Sequence, residues 1–195
     1  MYLIFDTSGN GKPKSFKASY DDPFNWPRLL HVSWIVLGED LKPLKDFNCL
    51  IKPEGFTPSP EPLRTHHLEA ERLQERGNSL KDVLDEFAKS VQEAEYVFAH
   101  NLALNEGIIG AEYYRKTMSN PLTSADKYCL MHEATYYCKL PGKKGYKWPT
   151  LKEMHSIIFN QIYSPLQNAR ADVIAASRCF IALKKGGALD DLFFD

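Results

Sequence analysis

Tyr2-Leu3-Ile4-Phe5-Asp6-Thr7-Ser8-Gly9 couples a buried strand to an acid. The apolar run predicts a strand over residues 2–7, and Asp-Thr-Ser-Gly is a turn-forming cluster that ends it. Residues 9–28 are rich in Gly, Pro, Asn, Ser and Asp and form a long excursion, a length of loop that is often functional. Residues 29–37 and 44–51 predict two more strands, separated by a turn at Gly38-Glu39-Asp40, so the first third is a meander. Pro53 to Pro62 then break regular structure.

Further on the period changes. Leu80, Val83, Leu84, Phe87 and Val91 recur at helical spacing behind Ser79, which is placed to cap them. Tyr96-Val97-Phe98-Ala99 is a short strand, and Leu104, Ile108 and Ile109 predict a helix after it. Thr150 caps a helix carrying Leu151, Met154, Ile157 and Ile158. A last helix with Ile174, Ala175, Cys179 and Leu183 stops at Gly186-Gly187. Three early strands followed by alternating helices and strands imply a mixed sheet with helices on its faces.

With 195 residues, 44% of them apolar and 25% charged, the chain is read as one domain spanning 1–195. No apolar stretch approaches the roughly 20 residues of a membrane span. The N-terminus lacks the basic region and cleavage site of a signal peptide, so no membrane association and a cytoplasmic location are expected. Cys49, Cys129, Cys138 and Cys179 are widely spaced and read as thiols rather than as a zinc site or a disulfide framework. The net charge of −1 gives no general attraction to phosphate, though it leaves room for local basic patches.

Two later stretches complete a pattern begun at Asp6: Ala99-His100-Asn101 through Asn105, and Gln167-Asn168-Ala169-Arg170-Ala171-Asp172. Their order and spacing resemble the DEDDh exonucleases, the DnaQ-like family that includes the proofreading subunit of bacterial replicative DNA polymerase. The resemblance runs from about Leu3 to Leu183. Asn25-Trp26-Pro27-Arg28, Lys52-Pro53-Glu54-Gly55-Phe56, Thr65-His66-His67-Leu68 and Tyr146-Lys147-Trp148-Pro149-Thr150-Leu151 resemble accessory signatures of one bacterial and phage branch. The resemblance implies a ribonuclease-H-like three-layer α/β/α fold with a mixed sheet of about five strands. It also implies a site for the 3′ end of a nucleic acid near two magnesium or manganese ions. Thr7, Ser8, Gly9, His66 and Asn101 are the positions it assigns to nucleic-acid contact.

In that family an Asp-x-Glu pair, a mid-chain Asp and a late Asp hold the two ions, and a His five residues before the last Asp takes a proton from water. Hard ions suit oxygen ligands, and an ion pair stabilises both the entering and the leaving oxygen. Here Asp6 and Asp172 are retained, whereas Ser8, Asn105 and Gln167 stand at the positions of the Glu, the second Asp and the His. Two divalent ions about 4 Å apart repel by on the order of 15 kcal/mol at an effective dielectric near 20, which two carboxylates do not offset. Asp6 and Asp172 are therefore expected to hold at most one weakly bound divalent ion, with help from the Asn105 amide oxygen. Loss of the base alone removes roughly 10² to 10⁴ in rate. Glu106, one residue past Asn105, should point away from the metal position.

The expected protein is thus an exonuclease homologue with a degraded site that keeps affinity for single-stranded DNA or RNA ends. The alternatives are a weak one-metal 3′→5′ exonuclease and a scaffold for a protein partner. The residues leave DNA, RNA and the oligomeric state open. Asp-Thr-Ser-Gly also occurs in aspartic proteases, which need a second such motif or a symmetric partner, and the other landmarks fit that poorly. The loop with Lys143, Lys144, Lys147 and Trp148 mixes cations and aromatics, and reads equally as a phosphate and base contact or as a turn anchored by Trp148 in the core. Phe16, Tyr20, Phe24 and Trp26 read as stacking residues or as side chains folding the long loop onto the sheet.

Overall fold

A computed structural model describes residues 1–193, so residues 194–195 of the expected domain lie outside it. Strand β1 (Tyr2–Gly9) lies at the centre of a five-stranded sheet between β2 (Leu29–Leu37) and β4 (Tyr96–Ala99). Strand β3 (Pro43–Leu50) pairs outside β2, and β5 (Lys127–Cys129) outside β4. The meander β1–β2–β3 is antiparallel, and β4 and β5 run parallel to β1.

Side chains alternate across a strand, and on β1 that alternation assigns each residue its layer. Leu3 and Phe5 join a core with Val83, Leu84 and Phe87 of α3 (Leu80–Glu93) and Ile108 and Ile109 of α4 (Leu102–Arg115). Ile4 joins the opposite core, with Met154 of α7 (Leu151–Phe159) and Val173, Cys179 and Phe180 of α8 (Ala169–Lys185). Helices thus cover both faces, giving the three-layer α/β/α arrangement. Asp6 and Ser8 continue the Ile4 face toward α8, while Thr7 continues the Phe5 face toward α4.

The structure departs from the sequence expectation in several places. The segment from Pro53 to Pro62 is not wholly irregular: α1 (Pro60–Thr65) begins inside it, because proline is tolerated in a first helical turn. Helix α2 (Ala70–Arg76) follows it. The short elements α5 (Leu130–Glu133), α6 (Thr135–Cys138) and a hairpin of β6 (Pro141–Gly142) and β7 (Gly145–Tyr146) were not anticipated either. Ser79 stands at the N-cap of α3 but its side chain makes no capping bond. Thr150, by contrast, forms a full capping box with Glu153, and α8 ends at Gly186 as expected. The third strand ends one residue early, since Ile51 bridges to Asn78 instead. No helix among the described residues is long and apolar enough to cross a membrane, and all four cysteines are free thiols.

The long excursion is folded down rather than held out. Trp26 is buried, donates from its indole N–H to the Ser19 carbonyl at 3.0 Å, and packs closely against Gly107 of α4. A Cβ at position 107 would sit 2.2 Å from the indole, so only glycine fits. Phe16 packs edge-on against Trp26 yet remains exposed, as does Phe24. Next to it, Glu112 is fully buried and accepts from the Leu29 amide at 2.8 Å and the Arg28 Nε at 2.9 Å, with Arg115 at 3.1 Å. This buried acid fastens the start of β2 to α4.

Candidate active site

Asp6, Asn105 and Asp172 come together at the end of β1, where α4 and α8 both reach the strand. Asn105 sits one turn into α4 and is almost wholly buried. Its Oδ1 accepts from both the backbone N–H and the hydroxyl of Thr7, each at 2.7 Å. Its Nδ2 donates to Asp6 Oδ1 at 3.1 Å and to the carbonyls of His100 at 3.0 Å and Asn101 at 3.3 Å. The Thr7 amide can only donate and the Asp6 carboxylate accepts, so these partners fix which end of the amide faces which.

That orientation corrects one expectation. The Asn105 oxygen is consumed by Thr7 and does not face the carboxylates, so it offers nothing to a cation. What meets Asp6 is an N–H donor, a partial positive charge on the flank where a metal ligand was expected.

Ser8 is 1% exposed, and its Oγ accepts from the Ala169 amide at 2.9 Å, binding β1 to the first turn of α8. Its side chain faces inward and serves the helix rather than a ligand. Asn168 caps the same helix, its Oδ1 accepting from the Ala171 amide at 2.9 Å. Gln167 adopts the left-handed conformation with φ of 53°, and its side chain is exposed beside the cleft. Its carbonyl lies 2.5 Å from His66 Nδ1, which ties α1 to the start of α8. Asn101 is also left-handed, turning the chain from β4 into α4.

Asp172 faces Asp6 from the first turn of α8. Its Oδ1 is buried without a partner among the described residues, and burial raises its pKa to about 6. Asp6 is partly accessible through the cleft yet hemmed in by protein, and its pKa is also raised. Burial is the main cause and repulsion from Asp172 the next, against the lowering effect of the Asn105 N–H. Two like charges in an enclosed site resist full ionisation.

The carboxylates of Asp6 and Asp172, the latter with its orphaned Oδ1, are the groups here that would hold a cation. They do not fit a pair of ions: among the described residues no three His, Cys, Asp or Glu side chains converge, and one flank of Asp6 is closed by an amide. Glu106 turns away, as expected, to pair with Lys127 at 2.7 Å. His100 carries an unpartnered buried Nδ1 and is held neutral by burial, its pKa lowered to about 4. His132 packs at a tilt on Trp148, and His155 contacts both Phe159 and Tyr163. Tyr163 was not anticipated from the sequence: its hydroxyl is raised to about 12 by burial and then by Asp172, with Asp6 contributing. It lies in an irregular segment, with no fixed spacing to any motif residue.

A pocket of about 250 Å³ opens beside Thr7 and Gly9, walled by Phe16, Leu104, Ile108 and His66. Its size and apolar lining suit a nucleobase. A larger depression of about 580 Å³ around Pro23, Tyr114 and Met118 touches none of the motif residues. In the β6–β7 hairpin Lys143 and Lys144 are exposed, but Lys147 is paired with Glu153 at 2.5 Å. Trp148 is not an anchor in the core: it is 59% exposed and packs on His132, while the next residue, Pro149, is the one that is buried.

The raised carboxyl groups make a stability prediction. Between the ordinary value of 3.8 and about 6 the folded state holds Asp172's proton more tightly than the unfolded chain, so stability falls as pH rises through that window. A shift of two units would be about 3 kcal/mol, discounted to about 1–2 kcal/mol for partial exposure. Asp172→Asn should therefore raise Tm by about 2–8 °C at pH 7.5 without divalent metal, and the gain should vanish by pH 4. Thermal melts across that range check it, and a lower Tm at pH 7.5 would contradict the reading.

The fold is shared with solved structures of exonuclease I. E. coli exonuclease I in complex with a dA16 oligonucleotide superposes with a TM-score of 0.74 at 14% identity, over 98% of this chain and 42% of that one. The zinc-bound form of the E. coli exonuclease I–single-stranded DNA complex gives 0.72 at 15%, and exonuclease I from Methylocaldum szegediense 0.74 at 16%, with the same coverage. The chain spans less than half the length of these proteins. No protein-family model and no curated protein matches it.

Proposed function

We propose that this chain is an exonuclease-fold domain that binds the 3′ end of single-stranded nucleic acid and no longer cleaves it efficiently. The observation that carries the reading is the Asn105 amide, whose Nδ2 donates to Asp6 at 3.1 Å. A donor there satisfies the carboxylate that a metal would otherwise need, and no His stands at position 167 to take a proton from water. The pocket beside Thr7 keeps the dimensions and lining for a terminal base. The neighbours crystallised with oligonucleotides support this assignment.

The test is incubation of the purified chain with end-labelled single-stranded DNA and RNA in magnesium or manganese. No nucleotide release above background is expected, alongside measurable binding. Robust turnover abolished by Asp6→Ala would overturn the loss of catalysis.

One observation favours a second reading, a weak one-metal nuclease: the buried, unpartnered Asp172 Oδ1. That reading requires slow, manganese-stimulated cleavage lost in Asp172→Asn. Its binding counterpart is a manganese-induced rise in Tm that the same variant lacks.

A further inference from the structure

On the far side of His66 from the base-sized pocket lies a second concavity, of about 270 Å³, with a different character. Its walls carry Arg72 and Arg76 from α2, Arg170 from α8, and His31, His66 and His67. None of its lining residues is acidic. Arg170 forks onto Asp46 at 2.8 Å through Nη2 and also through Nη1. Arg72 and Arg76 stand one helical turn apart and take part in no ion pair among the described residues. Glu69, Glu71 and Glu75 share the outer face of α2 with both arginines and offset part of this charge.

His31 lines the same concavity. It is 4% exposed, and its Nε2 lies 2.6 Å from Asn48 Oδ1. With Nε2 donating to that oxygen, Nδ1 is left buried and without a partner among the described residues. Burial lowers its pKa first, against the raising effect of the Asn48 hydrogen bond, and the nearby His66, Arg170 and Arg72 lower it further. A concavity with several guanidinium groups and no acid in its lining suits an anion. Paired guanidinium groups favour the tetrahedral oxygens of phosphate.

We propose that this pocket is a phosphoryl-binding site, filled by a phosphodiester of a single strand whose 3′ end lies in the Asp6 cleft. The strand assignment rests on the nucleic-acid-binding function proposed above. His66 walls both concavities, so a strand leaving the base-sized pocket across that imidazole brings a phosphate toward Arg72 and Arg76.

The experiment compares wild type, Arg72→Ala/Arg76→Ala and the charge-matched control Lys89→Ala/Lys185→Ala. All four side chains are exposed, so the variants should fold. Binding of a fluorescent oligothymidylate is measured over a salt series, with EDTA present so that cleavage plays no part. In the arginine variant, affinity should fall about tenfold at low salt, and the slope of log K against log salt should shrink by about 0.7, one phosphate's share. The lysine control should change affinity less than about twofold. Wild-type affinity and slope in the arginine variant would overturn the site.

If wild type itself binds no oligonucleotide, the nucleic-acid function fails, and melting in inorganic phosphate decides the pocket by itself. A rise in Tm seen in wild type and absent from Arg72→Ala/Arg76→Ala would keep the phosphoryl site, with free phosphate as its source. No rise in either protein would overturn it.

Discussion

Ser8→Glu, Asn105→Asp and Gln167→His introduced together should give the chain strong metal-dependent 3′→5′ nuclease activity. The gain in nucleotide release should be on the order of 10³ or more, since the returned base alone accounts for roughly 10² to 10⁴. Each change acts at a defined contact. Position 8 lies on the α8 face of β1 with Asp6, so a glutamate there would extend toward the carboxylate pair. An aspartate at 105 can still accept from the Thr7 amide and hydroxyl, while removing the N–H that now engages Asp6. The cost is also defined: the Ala169 amide loses its Ser8 acceptor, and four carboxylates crowd one cleft. Without metal the triple variant should melt below wild type, and manganese should raise its Tm. A folded, manganese-stabilised triple variant that still releases nothing would refute the idea that only the ligands have drifted.

The second large effect concerns stability. Glu112→Ala should lower stability by about 3–5 kcal/mol, the range for breaking a buried ionic cluster by removing one partner. It leaves Arg28, Arg115 and the Leu29 amide without their shared acceptor. At about 2–4 °C per kcal/mol for a chain of this size, Tm should drop by about 6–20 °C. Glu112→Gln should do less harm, because its amide oxygen can still accept from Leu29. Equal melting of Glu112→Ala and wild type would show that the arginines find water instead.

Much of the scaffold is legible in the sequence because its main elements are long enough to show a period. The alternation on β1 assigns Leu3 and Phe5 to one layer and Ile4 to the other, and the heptad-like spacing after Ser79 marks α3. Helices of four to seven residues, such as α1, α2, α5 and α6, fall below the length at which periodicity emerges. At the site, the family resemblance is what brings Asp6, Asn105 and Asp172 together in the sequence reading. It does not reveal which way an amide turns, because that depends on the Thr7 N–H across the sheet. Glu112 reads as an ordinary helical charge until the chain folds and Arg28 arrives beside it. Arg72 and Arg76 on α2 and His31 on β2 belong to two separate segments of the sequence, and only the packing of α2 against the meander makes them neighbours.

The indole of Trp26 resting on the bare Cα of Gly107 has an evolutionary corollary. Positions 26 and 107 are locked into one inheritance: a methyl at 107 is tolerated only where 26 has shrunk, and a large ring at 26 only where 107 stays hydrogen. Relatives of this chain should therefore trade these two positions jointly, with the excursion between residues 9 and 28 drifting in sequence around that fixed pair.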